Sequence, residues 1–333
     1  MNRILLTDTA FRRIQPRMSA LAGRLECAVM DRDGIVRLDG REISPDDTNP
    51  DCGWLSHDIF VGSVAMHYVG ALLKSAALTW IQSAGAGLDH PIFARFAEKG
   101  VRLTTNHSQS VGMAEYVLWG VLNHFQNGNG RAAEQTAHRW TRGRSREISG
   151  TRWLIVGLGA IGEAVARRVR GLDAHVTGIR RGTAPSLFVD SMETPDRLFD
   201  HLGDSDVVVL CVPLTAQTVN MVDTQFLAAM KPGSVLVNVG RGGLIDEDAL
   251  LAALDAGKPE HALLDVFRTE PLPTDSRFWD HPRVTVTAHT SALSSGGEAR
   301  ADSLFLDNLT RYLDGKTLVN EISVAEAMAA SRS

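Results

Sequence analysis

The stretch that most constrains this chain is "WLIVGLGAIGEAVARRVRG" (153–171), where an apolar strand runs into a glycine turn and then a helix. Gly157, Gly159 and Gly162 stand in G-x-G-x-x-G spacing, with Ala160 and Ile161 completing the turn. Glycine is common, so the spacing alone is weak. Its weight comes from the apolar strand before it and from Ile161, Val165 and Val169, which recur every four residues after it. Gly157 allows the tight turn, Gly159 the close approach of a pyrophosphate, and Gly162 the packing of helix on strand. The helix N-terminus adds free N–H groups and a partial positive charge. The context favours a dinucleotide site over a ligand-free glycine turn.

The surroundings extend this reading. Short apolar runs at "RWLIVG", "HVTGI", "DVVVLCV", "SVLVNVG", "HALLDVF" and "RVTVTAH" alternate with helical segments, as a dinucleotide-binding parallel sheet requires. The first hundred residues alternate similarly. "RILLTD", "LECAVM", "GWLS", "TWIQS" and "VRLTT" read as strands, and 11–24, 60–77 and 91–100 as helices. The Pro/Asp/Gly-rich piece 31–53 reads as an irregular insertion, and 131–146, rich in arginine, as a solvated linker. A last helix over 296–313 is expected to return to the first domain.

The fold class expected is α/β: two Rossmann-like or flavodoxin-like parallel-sheet domains separated by a cofactor cleft. The division expected is 1–104 with 290–333 as a discontinuous substrate domain, and 105–289 as the dinucleotide-binding domain. "VGMAEYVLWGVLNHF" (111–125) is apolar around most of a helix, so it belongs in a core or in a homodimer interface.

Bulk properties exclude several classes. The 333 residues are 44% hydrophobic, enough to bury real cores. A net charge of -5, from 34 basic against 39 acidic residues, argues against nucleic acid or an anionic membrane as partner. Cys27, Cys52 and Cys211 are odd in number and far apart, which fits a reducing compartment. No signal peptide or membrane-spanning run is evident, so a cytoplasmic protein is expected. The 11 histidines lack metal-ligand spacing, and a metal-free site is expected.

"HVTGIRRG" (175–182) bears on the cofactor. At the end of the second strand, where NAD enzymes of such folds usually carry Asp or Glu, stand Arg180 and Arg181. A carboxylate there would hold ribose hydroxyls and repel a 2′-phosphate; arginine reverses both effects. The expected cofactor is NADP(H), with NAD second; two ordinary surface arginines are the alternative.

Three residues stand at or just beyond strand ends: Arg241 in "VNVGRGGLIDEDAL", Glu270 in "LLDVFRTEPLP" and His289 in "VTVTAHTSA". The carboxyl edge of an open parallel sheet is where ligands bind. Together with the glycine turn, these pieces resemble the D-isomer-specific 2-hydroxyacid dehydrogenase family. The resemblance runs from "SAGAGLDH" (83–90) through "GMAEYVL", "GLGAIG", "CVPLTAQT" and "RGGLIDEDAL" to "EPLP" and the histidine motif. In that family the matching arginine, glutamate and histidine are catalytic. Reducing a 2-oxo acid needs a hydride and a proton, and His289 as imidazolium would deliver the proton. Glu270 would hold the other ring nitrogen and favour the charged form. Arg241 would grip the substrate carboxylate or carbonyl oxygen.

The resemblance implies further roles. Ala84, Gly85, Ala86 and Gly87 match a carboxylate-binding loop, and Val111 a residue on the nicotinamide face. Val212 and Pro213 match the adenine-side turn, while Val239 and Gly240 precede the catalytic arginine. Asp265 matches the acid that binds the carboxamide, with a buried strand-end acid as the other reading. Trp54, Ser56 and His57, ending a first-domain strand, are candidates to shape the substrate pocket, though Trp54 reads equally well as core. A small 2-oxo acid such as glyoxylate or hydroxypyruvate is the expected substrate.

Two departures stand out: Ala288 replaces the proline common before the histidine, and Arg180 replaces the acidic ribose ligand. The given sequence also runs only eleven residues past "DGKTLVNEI", which speaks against the long, serine-regulated phosphoglycerate dehydrogenases. A dinucleotide-sensing, corepressor-like binding protein without significant turnover is the alternative. A phosphite or formate oxidiser shares the fold, but nothing in the sequence specifies one.

Overall fold

In a computed structural model the described residues are 1–60, 64–87, 90–182 and 185–330. Part of the expected helix over 60–77 and of the "SAGAGLDH" motif, residues 61–63 and 88–89, lies outside them, as do 331–333 at the end of the expected substrate domain. The chain divides into two compact units, Met1–Ser108 with Gly296–Ser333, and Gln109–Ser295.

The first unit opens with β1 (Asn2–Thr7), α1 (Asp8–Ile14), β2 (Leu25–Met30), β3 (Val36–Leu38), β4 (Arg41–Ile43) and β5 (Cys52–Trp54). It continues through α2 (Val64–Lys74), β6 (Trp80–Gln82), α3 (Ile92–Glu98) and β7 (Arg102–Thr104). The second unit runs α4 (Ser110–Phe125), α5 (Gly128–Thr136), β8 (Arg152–Val156), α6 (Ala160–Arg170), β9 (His175–Ile179), β10 (Ser191–Glu193) and α7 (Phe199–Leu202). Then come β11 (Val207–Leu210), α8 (Thr224–Ala229), β12 (Val235–Asn238), α9 (Glu247–Asp255), β13 (His261–Leu264) and β14 (Val284–Val286). Chain return to the first unit adds α10 (Gly297–Leu313), β15 (Glu321–Ile322) and α11 (Val324–Ala330).

The second unit's sheet has the order β10-β9-β8-β11-β12-β13-β14, parallel throughout. Counted within that unit the order is 3-2-1-4-5-6 with one strand more, the doubly wound dinucleotide-binding topology. Its strands are continuous apolar runs such as Val207–Leu210 because helices cover both faces. In the first unit the parallel strands are ordered β2-β1-β5-β6-β7, the flavodoxin-like arrangement, with antiparallel β3, β4 and β15 at the edges.

Several expectations need correction. The helix expected over 11–24 starts at Asp8, where the Thr7 side chain caps the Ala10 N–H, and ends at Ile14. Pro16 cannot supply the N–H that continuation needs, and only short 3-10 turns follow. The insertion 31–53 is not wholly irregular: β3 and β4 form a hairpin inside it. The linker expected over 131–146 is helical to Thr136, and Arg146 is pinned by Asp206 at 2.5 Å and by the Gly233 carbonyl at 2.8 Å. Helix α4 buries Val117, Val121 and Phe125 within its own unit, while Trp119 is exposed.

Candidate functional site

The order of the second unit's sheet reverses between β8 and β11, and the glycine turn follows β8 at that point. Gly157 adopts φ +99, and a Cβ on it would lie 2.7 Å from the Cys211 carbonyl carbon and 2.8 Å from Val212 Cγ1. A Cβ on Gly162 would lie 2.2 Å from the Gly157 oxygen, so this glycine sets how closely α6 approaches its strand. Gly159 differs: a Cβ there would meet nothing within 4 Å. The fold does not need that glycine, whereas a phosphate approaching the backbone would.

Helices α8 and α9 begin with Asp223 and Asp246, whose side chains cap the N–H groups of Phe226 and Ala249. Helix α6 begins at Gly159 with no side-chain cap. The turn and the helix start therefore fit the phosphates of a dinucleotide, with Ala160 and Ile161 in the first turn. Arg180 leans on this turn: its Nε donates to the Gly182 carbonyl at 3.3 Å and its NH1 to the Leu158 carbonyl at 3.5 Å. Arg181 is exposed.

The neighbouring strand ends build a continuous rim. Val212 and Pro213 follow β11, and a Cβ on Gly240 would lie 2.9 Å from the Val212 carbonyl oxygen. Asn238, buried at the end of β12, shapes the next turn: its Oδ1 accepts from the Gly240 N–H at 3.0 Å and its Nδ2 donates to the Arg241 carbonyl at 2.9 Å. Val239 is buried beside it, and Arg241 turns its NH1 back to the Gly240 carbonyl at 2.8 Å. A Cβ on Gly242 would sit 1.9 Å from the Phe267 carbonyl carbon, so the arginine turn packs directly on the segment that leads to Glu270.

Glu270 and His289 meet. Glu270 Oε2 lies 2.7 Å from His289 Nδ1, and Glu270 Oε1 accepts the Phe267 N–H at 2.9 Å. One carboxylate thus ties the ring to the backbone beyond β13 and leaves Nε2 for other chemistry. His289 adopts φ +52, a left-handed conformation that costs a non-glycine residue on the order of 1 kcal/mol or more. Asp265 supplies the restraint. Its carbonyl accepts the His289 N–H at 2.8 Å. Its carboxylate accepts from Thr287 Oγ1 at 2.6 Å, the Thr290 N–H at 2.9 Å and the Ser291 N–H at 3.0 Å. Asp265 is buried just past β13, and its carboxylate binds this loop at three points. Tyr116 of α4 extends the network, its hydroxyl 2.6 Å from Thr287 Oγ1. A Cβ on Gly112, next to Val111, would lie 2.7 Å from Ser294, so the start of α4 packs on the same loop.

In the first unit, Asn106 holds the loop after β6. Its N–H donates to the Gly85 carbonyl and its Nδ2 to the Ala84 carbonyl, both at 2.9 Å. The Gly85 N–H is used by Ser83 Oγ at 3.2 Å, while among the described residues those of Ala86 and Gly87 have no acceptor. Trp54 is not available to a substrate: it is 2% exposed and its ring stacks on Phe305 of α10 at 4.2 Å. Ser56 is buried, with its hydroxyl unpaired among the described residues, and burial lowers the pKa of half-buried His57. No group of three metal-binding side chains occurs among the described residues, and no described helix is long and apolar enough to cross a membrane.

The residues that sequence reasoning missed, Asn106, Asn238, Thr287 and Tyr116, are polar groups at or near strand ends, or paired across the fold. Asn238 had a signal, as the one polar residue ending "VLVN"; the Tyr116–Thr287 pairing had none.

Residues 118–291 match the family described as D-isomer specific 2-hydroxyacid dehydrogenase, NAD binding domain. The chain belongs to this family. It is 32% identical over 256 residues, 76% of this chain and 48% of the relative, to D-3-phosphoglycerate dehydrogenase of Mycobacterium leprae. It spans about half the length of the curated relatives it matches. Among solved structures, a D-isomer specific 2-hydroxyacid dehydrogenase from Xanthobacter autotrophicus Py2, in complex with NADPH and MES, shares 25% identity at TM-score 0.78, covering 98% of this chain and 99% of that one. An NADPH-dependent glyoxylate/hydroxypyruvate reductase from Sinorhizobium meliloti, in complex with NADP and sulfate, has the same fold at 23% identity and TM-score 0.76, covering 98% and 99%.

Proposed function

We propose that this chain is an oxidoreductase that reduces a small 2-oxo acid to its D-2-hydroxy acid, and runs the reverse oxidation, with NADP(H) preferred to NAD(H). The observation that carries the reading is the Glu270–His289 pair at 2.7 Å, built beyond strands of the same sheet as the glycine turn. The second unit is the cofactor-binding part and the first the substrate-binding part. A bound nicotinamide would supply or accept the hydride.

His289, through Nε2, gives a proton to the developing alkoxide in reduction and takes it back in oxidation. Glu270 is the positioning residue that fixes the ring by Nδ1, as a carboxylate commonly does for a working histidine. Arg241 binds the substrate's carboxylate or polarises its carbonyl oxygen, a task suited to a permanently charged fork. The N–H groups of Ala86 and Gly87 suit a carboxylate, and Ser56 is a further polar group after β5. Asp265 holds the histidine loop, and Val111, Val212, Pro213, Val239 and Gly240 line the cofactor's path.

Arg180 and Arg181 support the NADP preference, as do the relatives solved with NADPH and NADP. Glyoxylate and hydroxypyruvate are the leading substrates, in line with the Sinorhizobium meliloti relative. A homodimer through the second unit fits the exposed Trp119, 49% accessible, and Trp140, 92% accessible. The test is loss of NADPH and NADH absorbance with glyoxylate, hydroxypyruvate, pyruvate and bulkier 2-oxo acids. Turnover with one of them, faster with NADPH, is expected. Silence with every acid while NADPH binds tightly would overturn the enzyme reading.

A further inference from the structure

Arg180 ends β9, and Glu163 stands in the first turn of α6. Their side chains approach to 3.7 Å between Arg180 NH1 and Glu163 Oε1, with exposures of 22% and 37%. The Leu158 and Gly182 carbonyls hold the guanidinium against the glycine turn. Glu163 therefore brings a negative charge to the cation that the cofactor reading uses to recognise a 2′-phosphate.

We propose that Glu163 is a specificity-determining residue, one that limits how strongly the site prefers NADPH over NADH. The proposal rests on the dinucleotide site of the preceding section. A 2′-phosphate carries nearly two negative charges at neutral pH. Bound at Arg180, it shares the guanidinium with the Glu163 carboxylate and is repelled by it. The helix N-terminus explains why the acid is tolerated: a carboxylate in a first turn is stabilised by the helix dipole. That turn also faces the pyrophosphate, but both cofactors carry one. Any effect of Glu163 on the pyrophosphate cancels in the ratio of the two affinities. Only the 2′-phosphate contribution remains.

The experiment is fluorescence titration of the full chain with NADPH, NADH, 2′,5′-ADP and ADP, for the wild type, Glu163→Gln and Glu163→Asp. Thermal unfolding confirms that each variant folds. Glu163→Gln should raise the NADPH-to-NADH affinity ratio by about three- to tenfold, the scale of one partly exposed charge acting on a doubly charged group. The 2′,5′-ADP-to-ADP ratio should rise in parallel, and both gains should shrink at high salt. Glu163→Asp, which keeps the charge, should stay closer to the wild-type ratio than Glu163→Gln. An unchanged or lower ratio in Glu163→Gln would overturn the proposal and make Glu163 an orienting partner of Arg180. The wild-type ratio tests the cofactor reading separately: a wild type preferring NADH alongside a raised ratio in Glu163→Gln would remove that reading and keep this one.

Discussion

Glu270 joins His289 Nδ1 at 2.7 Å with one carboxylate oxygen and the Phe267 N–H at 2.9 Å with the other. The histidine is thereby anchored to the backbone beyond β13, although it belongs to the loop beyond β14. Replacing Glu270 by Gln keeps the shape and removes the charge. On the proposed reading, turnover should fall by about 10- to 100-fold, with the KM for the 2-oxo acid little changed. Steady-state kinetics across pH checks this, and an unaltered kcat would remove Glu270 from the positioning role.

The glycine turn offers a contrast between folding and binding. Gly162→Ala places a Cβ 2.2 Å from the Gly157 oxygen, against rigid backbone. It should destabilise the second unit by about 1–3 kcal/mol, as overpacking does. Gly159→Ala meets nothing within 4 Å. It should leave thermal unfolding nearly unchanged and weaken dinucleotide binding about tenfold or more. Unfolding scans paired with NADPH titrations separate the two.

Arg180→Asp combined with Arg181→Ser should convert the proposed cofactor preference. Losing about 1.5–3 kcal/mol of charge-assisted bonding corresponds to a tenfold to hundredfold drop in NADPH affinity relative to NADH. Equal ratios before and after the change would return both residues to the ordinary surface.

Much of this was legible along the chain. The glycine spacing, the alternation of apolar strands with helices and the strand-end positions of Arg241, Glu270 and His289 are local patterns, and the family match over 118–291 accords with them. What was not legible depends on distant partners. Trp54 ends a strand, as pocket residues do, yet its ring stacks on Phe305, contributed by the last long helix. The hairpin β3–β4 was hidden because each strand has only three residues in a segment rich in turn formers. The restraint of the His289 loop by Asp265, Thr287 and Tyr116 joins residues on α4, β13 and β14 that no spacing rule connects.

A pH effect should originate at the start of β13, away from the His289 loop. His124 of α4 and His261, the first residue of β13, stack at 4.3 Å. Burial first, then the charge of neighbouring histidines, pushes His261 down from 6.5 to about 4; burial also lowers His124. The unfolded chain takes up the proton first as pH falls. Stability from the neutral His261 is therefore complete above about 6.5 and is lost as pH falls toward about 4, on the order of 3 kcal/mol in all. Urea unfolding between those limits should show a shallower loss in His261→Gln than in the wild type. Parallel curves would show that the pair does not control acid stability.

On the proposed reading, His289 transfers the proton in a nicotinamide-dependent reduction. The most direct measurement compares wild type and His289→Ala for NADPH oxidation with the best 2-oxo acid, alongside NADPH binding to each. His289→Ala should lower kcat by about 10²- to 10⁴-fold and keep cofactor affinity within about twofold of the wild type. A variant that turns over at a rate close to the wild type would contradict that reading.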